Sequence, residues 1–225
     1  VDGVLVETSG SFQRTALETV RHFTKKRVTP SQFHAWKNRP GFNDDWKLCT
    51  TWVNQLGFAV TFEQIQKKFQ ELYWGDKNTK GFVDGEKWLL PISSFERLAR
   101  RHELAIFTGR YHREMEHTLE RNDVRAFFSN IMTVEKVTRT KPSPEGLLKI
   151  LNGRDPHDAL YLGDNIDDAL AAQAAGVPFV GILPRRSQAR RHRGPTLKKL
   201  GAITILGHIN ELEAYLKRLR RPARS

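Results

Sequence analysis

Hydrophobic positions along the chain fall into two regimes that change near Pro91. Before it, Phe12, Ala16, Leu17, Val20 and Phe23 recur at the spacing of a helix that buries one face. Thr61-Phe-Glu-Gln64 has the form of a capping box and opens a second helical stripe through Ile65, Phe69 and Leu72. Residues 11–85 therefore read as all-helical. They hold Trp36, Trp46, Trp52 and Trp74, with Trp88 just past the edge. Ahead of them, Val1 to Val6 reads as the end of a buried strand broken at Gly3.

Beyond Pro91, short apolar runs alternate with helical stripes. A helix over 95–101 leads into Leu104-Ala-Ile-Phe107, and a second helix covers 113–121. Ile131 to Val134 is a short strand. Ser143-Pro144 offers an N-cap with proline at the first helical position, followed by an apolar face of Leu147, Leu148 and Leu151. Strands are expected at 159–162, 178–183 and 202–206, and helices at 167–175, closed by Gly176, and at 209–219. Such alternation means an α/β fold, a Rossmann-like parallel sheet with helices on both faces. The expected organisation is a core of residues 1–10 and 86–225, interrupted after its first strand by a helical cap of residues 11–85. An insert at a strand's carboxyl end sits over the place where open α/β sheets bind ligands, which is the position of a lid.

Four segments at strand ends carry polar residues: Val1-Asp2-Gly3, Ile106-Phe-Thr-Gly-Arg110, Thr140-Lys-Pro142 and Leu162-Gly-Asp-Asn-Ile-Asp-Asp168. In a parallel sheet all carboxyl ends share one edge, so these segments can converge. Asp164 and Asp168 stand four apart where a strand turns into a helix, and their hard oxygens suit Mg²⁺. Thr108 can hydrogen-bond a phosphoryl oxygen. Lys141 can neutralise phosphate and steady a nearby carboxylate. Asp2 is a candidate general acid/base. Each feature alone is common: a strand-end threonine is usually a cap, and Gly-Asp and Lys-Pro pairs recur everywhere. The ordered set is far more specific.

The same four segments resemble, in order, the motifs of the haloacid dehalogenase superfamily. Val1-Asp-Gly-Val-Leu-Val-Glu7 matches the Asp-x-Asp-Gly motif from its second position onward. Thr108, Lys141 and Gly163-Asp164 with Asp168 match the other three, and Ala171-Ala-Gln-Ala-Ala-Gly176 resembles the phosphoglycolate phosphatase and phosphoglucomutase branch with its helical cap. The resemblance implies a Mg²⁺-dependent phosphate monoester hydrolase acting through an aspartyl-phosphate on a small phosphorylated metabolite. It places the nucleophilic aspartate immediately before Val1, so the sequence is expected to be clipped there. Asp2 becomes the acid/base, and its backbone carbonyl, with Asp164 and Asp168, becomes a metal contact; Thr108 and Lys141 join it in catalysis. An acid at position 2 separates phosphatases and phosphomutases from dehalogenases.

In capped relatives specificity comes largely from the cap. Lys37, Arg39 and Asn43 flank the Pro40-Gly41 turn and are candidate substrate contacts, as are Gly109 and Arg110 beside Thr108. Arginine's forked donors suit a second phosphate or a carboxylate. The plainer alternative is solvated turn charges. Asp44 and Asp45 read as helix caps, and His102, His112 and His117 lack metal-ligand spacing.

Charge and cysteine content refine this reading. A net charge of +12 attracts an anionic partner. The positive residues cluster at Arg185–Arg193 and in a tail of Lys217, Arg218, Arg220, Arg221 and Arg224. Neither run is interleaved with aromatic residues, so a solvated loop and a frayed terminus are the simpler account, with nucleic acid a lesser alternative. Cys49, the one cysteine, allows no intrachain disulfide and suits a reducing, cytoplasmic setting. No apolar run is long enough for a membrane span, and no start resembles a secretory leader. A phosphomutase on the same site and a non-catalytic nucleic-acid-directed protein are the remaining alternatives.

Overall fold

The computed structural model describes residues 1–219; Arg220, Arg221 and Arg224 of the basic tail lie outside them. The chain divides into two compact units. One comprises residues 1–5 and those from Trp88 onward, and the other Val6–Lys87.

In chain order the elements of the second unit are β1 (Val6–Glu7), α1 (Phe12–Thr24), α2 (Pro30–Lys37), α3 (Asp45–Gln55) and α4 (Phe62–Trp74), followed at the boundary by β2 (Lys87–Trp88). The stripe read in α1 is buried over Phe12, Ala16, Leu17 and Val20, while Phe23 is half-buried. Thr61 caps α4 through the reciprocal box with Gln64. Thr29 does the same for α2 with Gln32, a box the periodicity left unread. Asp44 caps α3, accepting from the Trp46 and Lys47 N–H groups. Cys49 is fully buried, and burial pushes its thiol well above the ordinary range, so it behaves as a packing residue.

The first unit contains α5 (Ile92–Ala99), β3 (Leu104–Phe107), α6 (His112–Arg121), β4 (Phe128–Met132), α7 (Glu145–Leu151), β5 (Tyr161–Gly163), α8 (Ile166–Ala175), β6 (Phe179–Ile182), α9 (Gln188–Lys199), β7 (Ala202–Leu206) and α10 (Leu212–Leu219). The strands run parallel, β3 with β4 and β5-β6-β7 in that order. Alternation assigns their side chains to two cores. Ile106, Ile131, Val180, Ile182 and Leu206 join α5, α6 and α10 on one side. Phe107, Met132, Phe179 and Ile205 join α7, α8 and α9 on the other. Adjacent residues facing opposite ways, both into apolar surroundings, are the mark of strands covered on both faces. The unit is therefore a Rossmann-like α/β fold.

Three expectations change. The break expected at Gly3 is there, but it extends to a turn over residues 3–5: Gly3 takes φ +70°, and the Val4 and Leu5 N–H groups both bond the Val1 carbonyl. At α7, Pro144 occupies the cap position, one residue later than the proposed Ser143 cap, although Ser143 Oγ still accepts from the Glu145 N–H. The basic run expected as a loop is mostly helix α9, capped by Ser187 and carrying Pro195 inside it. Its polar face and internal proline hid the periodicity, yet Arg193, Gly194 and Leu197 are buried. Among the described residues no helix is long and apolar enough to cross a membrane.

Candidate active site

The carboxyl ends of β3 and β5, the Lys141 loop and the turn at residues 2–5 hold the polar residues singled out above. Asp168 accepts four hydrogen bonds. Its Oδ1 receives Lys141 Nζ at 2.6 Å and the Tyr161 hydroxyl at 3.0 Å. Its Oδ2 receives the Asp164 and Asn165 N–H groups, each at 3.2 Å. Asp168 is also the third-position partner of Asn165 in the capping box that opens α8, where a carboxylate meets the positive helix end. Burial alone would raise its pKa, but the charge and hydrogen bond of Lys141 outweigh it and hold the carboxyl below its usual range. Burial, then the charge of Asp168, pushes the Tyr161 phenol well above its ordinary value, so it stays a neutral donor.

Asp164 stands at the β5–α8 turn beside the backbone of Gly3. A Cβ on Gly3 would fall 2.4 Å from Asp164 Oδ2. Only glycine lets the first turn approach this carboxylate so closely. The buried Arg193 guanidinium of α9 reaches the Asp164 carbonyl at 2.8 Å and Oδ2 at 3.1 Å. Burial raises the Asp164 carboxyl; Arg193 pulls it down, and the charges of Asp168 and Asp2 push it up again.

Asp2 meets Arg110. The Arg110 side chain is 1% exposed, and its Nε and Nη2 reach Asp2 Oδ1 at 2.9 and 2.5 Å. Its Nη1 donates to Thr118 Oγ1 at 2.6 Å, and its backbone N–H donates to Thr108 Oγ1 at 3.1 Å. Thr108 is itself buried and fixed by its N–H on the Met132 carbonyl. Gly109 is the turn residue between them. Thr108, Arg110 and Asp2 thus form one chain of contacts, and Gly3, Asp164, Asp168 and Lys141 another, joined through the Asp2–Gly3 peptide.

The candidates of the helical unit are engaged within that unit. Lys37 Nζ lies 2.7 Å from Asp45 Oδ1, and it donates to the Asn43 carbonyl at 2.9 Å. Arg39 is exposed and lays its guanidinium 4.4 Å from the Trp36 ring centroid.

A hard divalent cation fits this donor set in a limited way. Among the described residues no three acidic, histidine or cysteine side chains form a metal-holding group. Asp168, the other expected metal contact, has both oxygens in hydrogen bonds that also orient the turn. Asp164, whose Oδ2 lies against the backbone of Gly3, is the carboxylate that could hold such an ion. That matches Mg²⁺, which takes one or two carboxylates and fills its sphere with water and phosphate oxygens.

Three contributors escaped the sequence reading. Tyr161 occupies a strand position that reads as core. Arg193 lies inside the basic run. Glu145 clamps the loop before Lys141 by accepting the Thr138 and Arg139 N–H groups at 2.8 Å each; its only sequence signal is an acidic residue in the first turn of a helix.

Comparison with known proteins follows the same lines. A family model described as haloacid dehalogenase-like hydrolase matches residues 1–182. An imidazoleglycerol-phosphate dehydratase of Phytophthora nicotianae is 30% identical over 221 residues, which are 92% of this chain and 48% of that protein. Phosphoglycolate phosphatase 1 of Pseudomonas aeruginosa is 34% identical over 101 residues, 43% of this chain and 34% of the relative. The chain therefore spans about half the length of the first relative, and the match to the second covers a third of it. A HAD-superfamily hydrolase of subfamily IA from Geobacter sulfurreducens superposes with a TM-score of 0.62 at 23% identity, covering 95% of each chain.

Proposed function

We propose, from the premise that the chain belongs to the haloacid dehalogenase-like hydrolase family, that it is a Mg²⁺-dependent phosphatase of small phosphorylated metabolites. The supporting observation is the contact chain that links Thr108, Arg110 and Asp2 to Asp164, Asp168 and Lys141. It gathers a phosphate-binding hydroxyl, a buried ammonium, an acid/base carboxyl and a metal-type carboxylate.

In this reading an aspartate immediately before Val1 attacks phosphorus. Its oxygen bonds to phosphorus as the ester P–O bond breaks, and the Asp2 carboxyl gives its proton to the departing oxygen. Asp2 then takes a proton from water as that water attacks the aspartyl-phosphate and frees inorganic phosphate. Thr108 orients a phosphoryl oxygen. Lys141 offsets developing charge there while tied to Asp168. When bound at Asp164 and the residue 2 carbonyl, Mg²⁺ supplies Lewis-acid polarisation of the phosphoryl group. Arg39 is the proposed substrate contact of the helical unit, because Lys37 is committed to Asp45 and Asn43.

Hydrolysis is favoured over phosphoryl return to product, since the Pseudomonas aeruginosa relative is named a phosphatase. The dehydratase name is not carried over, because about half of that protein lies outside the alignment. Nucleic-acid binding loses support where the basic run is spent inside the fold, as Arg190 and Arg193 are.

The test is a screen of phosphorylated metabolites with the full-length protein, with and without Mg²⁺. Phosphate release that EDTA abolishes, with a covalent phosphate trapped by acid quench, is the expected result. Folded protein that releases no phosphate from any ester, or releases it unimpaired in EDTA, overturns the reading.

A further inference from the structure

We infer that Arg110 is a positioning residue that sets the orientation of the Asp2 carboxyl, and is not a substrate contact. This rests on the phosphatase reading above and deepens it.

The geometry is specific. Arg110 is among the most deeply buried large side chains, yet it carries a full charge, a state that persists only when the guanidinium is well bonded. Two of its nitrogens converge on one oxygen, Asp2 Oδ1, and a third is held by Thr118 Oγ1. Thr118 is in turn locked, its hydroxyl donating to the Glu114 carbonyl at 3.0 Å one turn back in α6. The Asp2 side chain is 41% exposed, against 1% for its partner. The arginine therefore lies beneath and the carboxyl above, so a substrate can reach Asp2 while Arg110 stays covered. A guanidinium buried this way, with its donors turned to Asp2 and Thr118, lacks the open face needed to grip a substrate's phosphate or carboxylate. It can fix the rotamer of Asp2, because a planar fork of donors on one oxygen restrains the carboxyl that carries it. The Thr-Gly-Arg run also makes the arrangement local: the Arg110 N–H on Thr108 Oγ1 couples the phosphate-binding hydroxyl to the residue that aims the acid.

Proton delivery to the leaving oxygen matters most when that oxygen is strongly basic, so misaiming the acid should depend on the leaving group. The experiment compares kcat/KM for an alkyl phosphate and for p-nitrophenyl phosphate in the full-length protein, Arg110→Gln and Thr118→Val. For Arg110→Gln the expected loss is about 30-fold on the alkyl ester and less than about 3-fold on the nitrophenyl ester, with a smaller skew of the same sign in Thr118→Val. Arg110→Lys, which keeps charge but not the fork, should restore little. Equal losses on both esters, or a rise in KM alone, overturn the inference and make Arg110 a structural or binding residue. If Arg110→Gln does not fold, Thr118→Val decides by the same skew. An unmodified protein that turns over neither ester nor any screened metabolite removes the phosphatase reading, and this inference with it.

Discussion

Lys141 Nζ lies 2.6 Å from Asp168 Oδ1, with each side chain only 7% exposed. The pair is desolvated, so its members depend on each other more than a surface pair would. Removing one leaves a buried charge without its partner, a loss of about 3–5 kcal/mol. Lys141→Met and Asp168→Asn should each fall in that range in urea unfolding. The double variant Lys141→Met/Asp168→Asn should cost clearly less than the sum, because it removes the orphaned charge as well. Strict additivity would show that the two do not interact.

Asp164→Asn should abolish Mg²⁺-dependent turnover while leaving the fold intact by circular dichroism. Titration with Mn²⁺, followed by electron paramagnetic resonance, should show affinity lowered by about 100-fold or more. Retained activity and affinity would remove Asp164 as a ligand.

Gly3→Ala and Gly153→Ala form a matched pair. Both glycines sit at positive φ, +70° and +83°, so both alanine variants bear the left-handed cost of about 1–2 kcal/mol. Only at Gly3 does the new methyl meet a carboxylate; at Gly153 nothing lies within 4 Å. Gly3→Ala should therefore lose more stability than Gly153→Ala and should also weaken Mn²⁺ binding, which Gly153→Ala leaves unchanged.

Glu145 gives a pH signature. Its hydrogen bond from Lys149, and then those from the Thr138 and Arg139 N–H groups, hold its carboxyl at about 2, against an ordinary 4.5. The unfolded chain binds this proton more readily than the folded one, so the contribution is complete above the unfolded value. It drains away as pH falls through 4.5 toward about 2. Stability measured by urea from about pH 6 to about pH 3 should drop less in Glu145→Gln than in the unmodified protein. Parallel curves would show that the clamp contributes nothing.

Much of this was legible in the sequence because periodicity and caps are local. The α1 stripe, the Thr61–Gln64 box and the run Leu104–Phe107 declare themselves within a few residues, and so do the four strand-end segments. What stayed hidden depends on contacts between distant positions. Arg110 reads as a candidate substrate contact beside Thr108 until the fold brings Asp2, 108 residues away, against it. Tyr161 looks like another apolar strand residue, although its hydroxyl bonds Asp168. The turn at residues 3–5 carries the apolar letters of a strand, and the torsion of Gly3 overrides them.

Helix α9 divides one basic run into two populations. Arg190 bonds the carbonyls of Leu183, Ile205 and Leu206, stitching the ends of β6 and β7, and Arg193 holds Asp164. Arg186 and Arg191 lie exposed on the same segment. A sequence library built across it would thus be filtered unevenly. Positions 190 and 193 would tolerate replacement as poorly as buried leucines, while 186 and 191 would drift, so a run that looks uniform in charge is in fact half architecture and half solvent coat.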